Sequence, residues 1–276
     1  MSSFKTLVAA GAAAGLTAAA AQAADLPAPI LQPVPVVQEF SGWYLRGNIG
    51  MTNQSVKSLK LEPLPAAFAN DTITTPFLSF DSSPLAGLGV GYQINNWLRV
   101  DATGEYRSSS HFHGQQIDKF GGTTLPDDYT ASKTEWLFLA NAYVDLGTWW
   151  CITPFVGAGI GASRNTISNF MDVGATQSGA TILSTTYFDN ASKWNFAWAL
   201  YAGLSYQVTP GFNVELTYRY VDLGSATTGR PHAFDGTPIP QSPFVFHDIT
   251  SSDFMLGMRW KLGEPLAPPP PVVRKG

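Results

Sequence analysis

The chain has 276 residues, room for one large or two ordinary domains, with 13% charged and 13% aromatic residues, a net charge of −4 and a sequence pI near 5.5. Soluble domains carry roughly 25% charged residues, so this chain is apolar for its size, and it lacks the basic face that nucleic-acid binding requires. The 26 glycines and 20 prolines disfavour a helical protein, and the single cysteine, Cys151, excludes a disulfide framework and a C-x-x-C metal site.

In chain order, "MSSFKTLVAAGAAAGLTAAAAQA" predicts a secretory signal peptide over residues 1–23, with Lys5, an apolar run and Ala21-Gln22-Ala23 before a mature start at Ala24. The competing reading is a membrane anchor. The run from Leu7 is mostly alanine, carries Thr17 and Gln22, and barely reaches the ~20 strongly apolar residues a span needs. Cys151 lies far from this segment and is not a lipoprotein cysteine. Residues 24–41 read as a Pro-rich linker.

From Gly42 the sequence alternates with period two, the signature of strands with unlike faces. "GWYLRGNIG" (42–50) sets Trp43, Leu45, Gly47 and Ile49 against Tyr44, Arg46 and Asn48. "SPLAGLGVGYQI" (83–94) and "WLRVDATGEYR" (97–107) follow, the latter with Leu98, Val100, Ala102, Gly104 and Tyr106 opposite Arg99, Asp101, Thr103, Glu105 and Arg107. Then come "KTEWLFLANAYVDLG" (133–147), "PFVGAGIGAS" (154–163), "KWNFAWALYAGLSYQV" (193–208), "FNVELTYRYVDLG" (212–224) and "ITSSDFMLGMRWKLG" (249–263). These predict eight strands. Asn95-Asn96, residues 148–153 and 209–211 are tight turns, whereas 53–82, 108–132, 164–192 and 225–248 read as long polar loops. Short turns interleaved with long loops predict an all-β, eight-stranded antiparallel up-and-down transmembrane barrel over 42–263, with short periplasmic turns and four long external loops. Both termini then lie in the periplasm, the second as a Pro-rich tail over 264–276. A secreted β-sandwich is the alternative, but it would bury such faces and favour loops of a few residues.

Aromatic girdles are expected at both interfaces. Near the short turns sit Trp43, Tyr92, Trp97, Trp149, Trp150, Phe212 and Trp260; near the loops sit Tyr106, Trp136, Trp194 and Phe254. The inward parity collects Arg46, Arg99, Arg107, Arg219, Arg259 and Lys261 against Asp101, Glu105, Glu135, Asp145, Glu215 and Asp253. Eight strands leave an interior just filled by side chains, and charges buried there must pair. The expectation is a neutral salt-bridged plug, with Glu215 and Arg259 as one pair, rather than a conducting pore.

Other chemistry is weakly signalled. "GAGIG" (157–161) has no following Gly-Lys-Ser/Thr and reads as close-packed strand glycines, not a phosphate loop. His111, His113, His232 and His247 lack the carboxylate or cysteine spacing of a metal site. His247, Asp248 and Ser251 have the composition of a hydrolase triad, but on one strand His247 and Ser251 stand ~13 Å apart by rise alone. No catalytic, cofactor or metal site is therefore expected.

"ANAYVDLGTWWCITPFVGAGIGAS" (140–163) and "ELTYRYVDLG" (215–224), with the "ADLPAP" start at 24–29, resemble the small alphaproteobacterial outer-membrane surface antigens, an opacity-type, OmpA-like barrel family. The resemblance implies an envelope-maintaining surface barrel in contact with outer-membrane lipid, lipopolysaccharide and the assembly machinery. It also implies attachment of mature Ala24, followed by Asp25, to peptidoglycan. Loop-mediated binding and, less so, a narrow porin are the alternatives. The chain departs from the family at its end, where "KLGEPLAPPPPVVRKG" follows Trp260 in place of a terminal aromatic.

Overall fold

The computed structural model describes residues 41–66, 72–120, 123–175 and 182–263. The signal peptide, Ala23, Ala24, Asp25 and both Pro-rich segments fall outside the described residues. Eleven strands follow in chain order: β1 (Gly42–Leu61), β2 (Thr72–Phe80), β3 (Ser83–Gln93), β4 (Leu98–Phe120), β5 (Thr123–Asp145), β6 (Ile152–Ala175), β7 (Ile182–Phe188), β8 (Ala191–Thr209), β9 (Phe212–Thr227), β10 (Pro231–Ala233) and β11 (Phe244–Leu262).

Eight of them form a ring in the order β1-β3-β4-β5-β6-β8-β9-β11, every neighbour antiparallel. Closure comes from β11 on β1, in register from Trp43↔Leu262 to Leu61↔Phe244. A closed ring leaves no row of unpaired amides facing an apolar solvent. The three short strands lie outside the ring: β2 pairs the far half of β4, β7 the far half of β6, and β10 pairs β7.

Turn chemistry explains the short connections. Asn95 Oδ1 accepts the amides of Trp97 and Leu98, a local turn that asparagine favours. Between β5 and β6, Trp149 and Ile152 exchange backbone bonds around Trp150 (φ 51°) and Cys151 (φ 67°), left-handed at both central positions as a tight hairpin turn demands.

The long loops expected at 53–82, 108–132, 164–192 and 225–248 are corrected by the structure: most of their described residues are strand. β4 and β5 run as one continuous hairpin to Phe120↔Thr123, and β1 and β11 stay paired to Leu61. The polarity that suggested loops is that of an outward face meeting water. Near the short turns, outward residues are apolar and inward ones charged; beyond the second aromatic girdle, outward residues are largely Ser, Thr, His and Lys, and inward ones largely Leu, Ile and Phe, with Gln116 and Asp118 also buried. Along β4, His111 and His113 point out while Phe112 is fully buried. A strand passing from lipid into water must invert in this way, because each solvent selects the outward face and the interior takes the remainder. Bulges also shift the phase, near Ser108–Ser109, at Asn169 (φ 53°) and at Asp248 (φ 52°).

Candidate functional site

The wall between the girdles is apolar and exposed. On β8, Trp194, Phe196, Leu200, Leu204, Tyr206 and Val208 are exposed, while Ala197, Ala199, Tyr201 and Ser205 face inward and are buried. On β5 the outward apolar residues run from Trp136 to Val144, nine positions, close to the ~9–11 that a tilted strand needs to cross a bilayer. The short-turn girdle holds Trp43 edge-on to Tyr92 (5.3 Å) and Phe212 against Trp260 (5.0 Å), with Trp97, Trp149 and Trp150 exposed nearby. At the other rim Tyr106 meets Trp136 (5.0 Å), Trp136 and Trp194 both touch Phe138 (6.2 Å each), and Phe254 meets Tyr218 (5.3 Å).

Inside, the predicted charges sort into two clusters. Toward the short turns stand Arg46, Arg99 and Arg259 with Asp101, Asp145 and Glu215. Arg259 Nε donates to Glu215 Oε1 (2.9 Å), Arg99 reaches Glu215 (3.3 Å) and Asp145 (3.2 Å), and Arg46 donates to Asp101 (2.8 Å) and lies 3.8 Å from Glu215. Arg46 and Arg259 are direct partners across the closing β1–β11 pair, a like-charge juxtaposition that Glu215 bridges. Arg99 also lies against the rings of Tyr143 (4.4 Å) and Phe155 (4.5 Å).

The second cluster holds Arg107, Arg219 and Lys133 with Glu105, Glu135 and Asp253. Arg219 makes a two-pronged contact with Glu105 (2.7 and 2.6 Å) and bonds Asp253 (2.9 and 2.7 Å). Arg107 spans the lumen to Asp253 (2.5 Å) and to Glu135 (2.9 Å), and Lys133 pairs with Glu135 and donates to Gln54 (2.8 Å). Each cluster is neutral, three cations against three carboxylates. Asn141 joins them, donating to Asp101 (2.8 Å) and Thr103 (3.2 Å) and accepting from Tyr201 (2.8 Å). Room for this layer comes from "GAGIG": a Cβ on Gly157 or Gly159 would collide with Tyr143 or Asn141.

One member was missed by sequence reasoning, and one lies at the edge of the lower cluster. Lys133 is fully buried, while Lys261 is only half-buried beside the short turns. The signal for Lys133 was its shared parity with Glu135, at the first residue of the expected strand.

Past Lys133 the interior turns mainly aromatic and aliphatic, with a few buried polar groups such as Gln116 and Asp118. Phe80, Phe112, Phe246, Phe170, Tyr129, Phe188 and Phe244 form one connected set of rings with centroids 4.9–6.0 Å apart. Leu59, Leu61, Ile167, Leu223, Ala226 and Ile249 pack with them. This aromatic head fills the hairpins beyond the girdle.

The remaining candidates are dispersed. The bulge at Asp248 turns His247 outward, where it bonds Glu62 (2.9 Å), and Ser251 inward, where it donates to Asp253 (2.6 Å). The two lie on opposite faces of the strand and cannot form a nucleophile–base pair. His232 contacts Asp189 (3.1 Å) and His111 lies 3.5 Å from Ser132, while no group of three metal-binding side chains occurs among the described residues.

A closed eight-stranded ring, apolar outward between two aromatic girdles and paired in its polar interior, defines a transmembrane β-barrel. The chain belongs to the outer membrane protein beta-barrel domain family, whose match spans residues 10–258. It is 31% identical to an uncharacterized protein of Brucella abortus (strain 2308) over 78% of this chain and 79% of the relative. It is 28% identical to a "Putative adhesin" of Rickettsia bellii (strain OSU 85-389) over 76% of this chain and 85% of the relative. Among solved structures it is similar to the outer membrane protein OprG from Pseudomonas aeruginosa, at 14% identity, a TM-score of 0.45, and coverage of 83% of this chain and 100% of that one.

Proposed function

We propose that the protein is a non-conducting, non-catalytic structural barrel that maintains the outer membrane and holds a rigid head of β-hairpins outside the cell. The observation that carries this reading is the filled interior: two neutral ion clusters stacked beneath an aromatic core. Side chains with paired charges and rings in contact occupy the interior, which argues against a solute path. Cutting the hairpins on intact cells with an added protease tests the orientation; cleavage confined to the short turns contradicts it. Deleting the protein tests the envelope role, with increased shedding of outer-membrane vesicles expected and unchanged shedding against it.

The family resemblance adds a tether, in which signal cleavage exposes Ala24-Asp25 and the terminal alanine is joined to peptidoglycan. The Pro-rich residues 24–37 suit a stiff spacer, extending ~3.1 Å per residue. Sacculi boiled in detergent and digested with muramidase and protease should release an Ala24-Asp25 peptide carrying a muropeptide mass. Recovery of free amino termini alone contradicts the tether and leaves the barrel untouched.

Surface binding is the second reading, supported by one feature of the head. Phe234, 80% exposed, lies against Tyr187 (6.4 Å) on the hairpin end, an apolar pair facing water. Phe234→Ser should weaken adherence of cells displaying the protein; unchanged adherence removes this pair from the reading.

A further inference from the structure

The far end of the head carries a row of carboxylates on its inner face: Asp118 on β4, Asp127 on β5 and Asp172 on β6. In the register of these strands Asp118 pairs with Leu125, Asp127 with both Gln116 and Gly174, and Asp172 with Tyr129. Each carboxylate therefore stands one inward position closer to the membrane than the one on the strand before. The three form a diagonal, each ~7–8 Å from the next, the usual spacing of diagonal positions across a strand pair.

The charges that bear on Asp127 and Asp172 are other carboxylates. Burial and Asp127 push Asp172 up to about 7, and burial with Asp118 and Asp128 pushes Asp127 up to about 6. Asp172 Oδ1 is buried without a hydrogen bond among the described residues. Gln116, 7% exposed and the direct partner of Asp127, is the second signal. It shares the inner face with Asp118, and its amide takes part in none of the hydrogen bonds among the described residues. A buried amide without a partner is costly, so this one, aimed at the row, marks a place for a ligand. Beneath the row Tyr129 and Phe170 stack at 5.6 Å (30°).

We propose that the inner end of the head binds a linear aliphatic polyamine, its ammonium groups on Asp118, Asp127 and Asp172 and on the Gln116 carbonyl, its alkyl spacers on Tyr129 and Phe170. A metal ion would need several oxygens converging within ~2.6 Å of one point, and no such group occurs among the described residues. A diagonal of separated carboxylates suits a cation whose charges are themselves strung along a chain. Each ammonium donates charge-assisted bonds to one carboxylate, and the rings below take both the methylenes and the positive charge. Binding on this row would tie β4, β5 and β6 together where repulsion now acts between them. The site depends neither on a sealed lumen nor on which side of the membrane the head lies.

The test is isothermal titration calorimetry at pH 8 on the full mature chain folded in a neutral maltoside detergent. The probes are spermidine, the shorter diamine putrescine, and calcium. Spermidine should bind as a single molecule and more tightly than either of the others. Asp127→Asn and Asp172→Asn should each weaken spermidine about tenfold, the loss of roughly one charge-assisted contact. Asp128→Asn, on the same strand but facing outward, should change it by less than about twofold, as an exposed charge does. The asparagine variants keep the side-chain shape and remove a repelling charge, and unchanged migration of the folded band in unheated gels checks that each is intact. Spermidine should also slow amide exchange in the far ends of β4, β5 and β6 in the wild-type protein and not in Asp172→Asn. Wild-type affinity in Asp127→Asn and Asp172→Asn, an equal loss in Asp128→Asn, or calcium binding more tightly than spermidine overturns the assignment.

Discussion

Glu215→Gln is the most informative single change in the lumen. Its carboxylate faces three guanidinium groups, Arg259 at 2.9 Å, Arg99 at 3.3 Å and Arg46 at 3.8 Å. Neutralising it leaves the lower cluster with three cations and two carboxylates. Arg99 keeps Asp145 and Arg46 keeps Asp101. Arg259 keeps only neutral acceptors, Gln93 Oε1 at 2.8 Å and Ser205 Oγ at 3.4 Å. Breaking a buried pair by removing one partner costs about 3–5 kcal/mol, because the other charge is stranded; the retained Gln93 bond places this change toward the lower end. Arg259→Met should cost less, since Glu215 still has Arg99 and Arg46. Urea unfolding in lipid vesicles, run as a double-mutant cycle, reads both quantities. The double variant should lose distinctly less stability than the sum of the single losses. Additivity within about 0.5 kcal/mol, or a larger loss for Arg259→Met than for Glu215→Gln, refutes the pairing.

Three further outcomes are expected. Leu200→Arg, on the exposed wall, should cost ~2–4 kcal/mol in vesicles, whereas Thr166→Arg, outward but beyond the girdle, should stay within ~0.5 kcal/mol; similar losses would misplace the membrane boundary. Phe170→Ala, at the centre of the aromatic head, should cost ~3–5 kcal/mol and speed amide exchange in the hairpins before the wall, so uniform exchange would deny the head a core of its own. Burial and Asp127 push Asp172 up to about 7, and burial with Asp118 and Asp128 pushes Asp127 up to about 6, both from 3.8. The folded head thus binds more protons than the unfolded chain, and its stability falls as pH rises through that range; Asp172→Asn should flatten the pH dependence of exchange, and an unchanged profile counts against it.

The wall was legible in the sequence because lipid is an unforgiving solvent. Every outward position from Trp136 to Val144 or from Trp194 to Val208 had to be apolar or small, so period two survives in the letters. The lumen followed from the same parity, which sets Glu215 and Arg259 on one inner face of neighbouring strands. The hairpin head was not legible. Its outward residues, such as His111, His113 and Thr166, carry the composition of loops, and the aromatics between them, such as Phe112 and Phe170, are inward rather than outward. Bulges then broke the parity. A single left-handed residue at Asp248 moves Phe246 and Ile249 to the same inner face despite their odd spacing, and sends His247 and Ser251 to opposite faces. Lys133 was hidden for a simpler reason: it stands where the expected strand began, one pair above Glu135.

The claim that the interior is sealed is tested most directly by single-channel recording of the purified mature protein in planar bilayers. With both ion clusters paired and the aromatic head packed above them, the current should remain at the level of the bare membrane across the voltage range. Stable, reproducible open states in the wild-type protein would contradict the account.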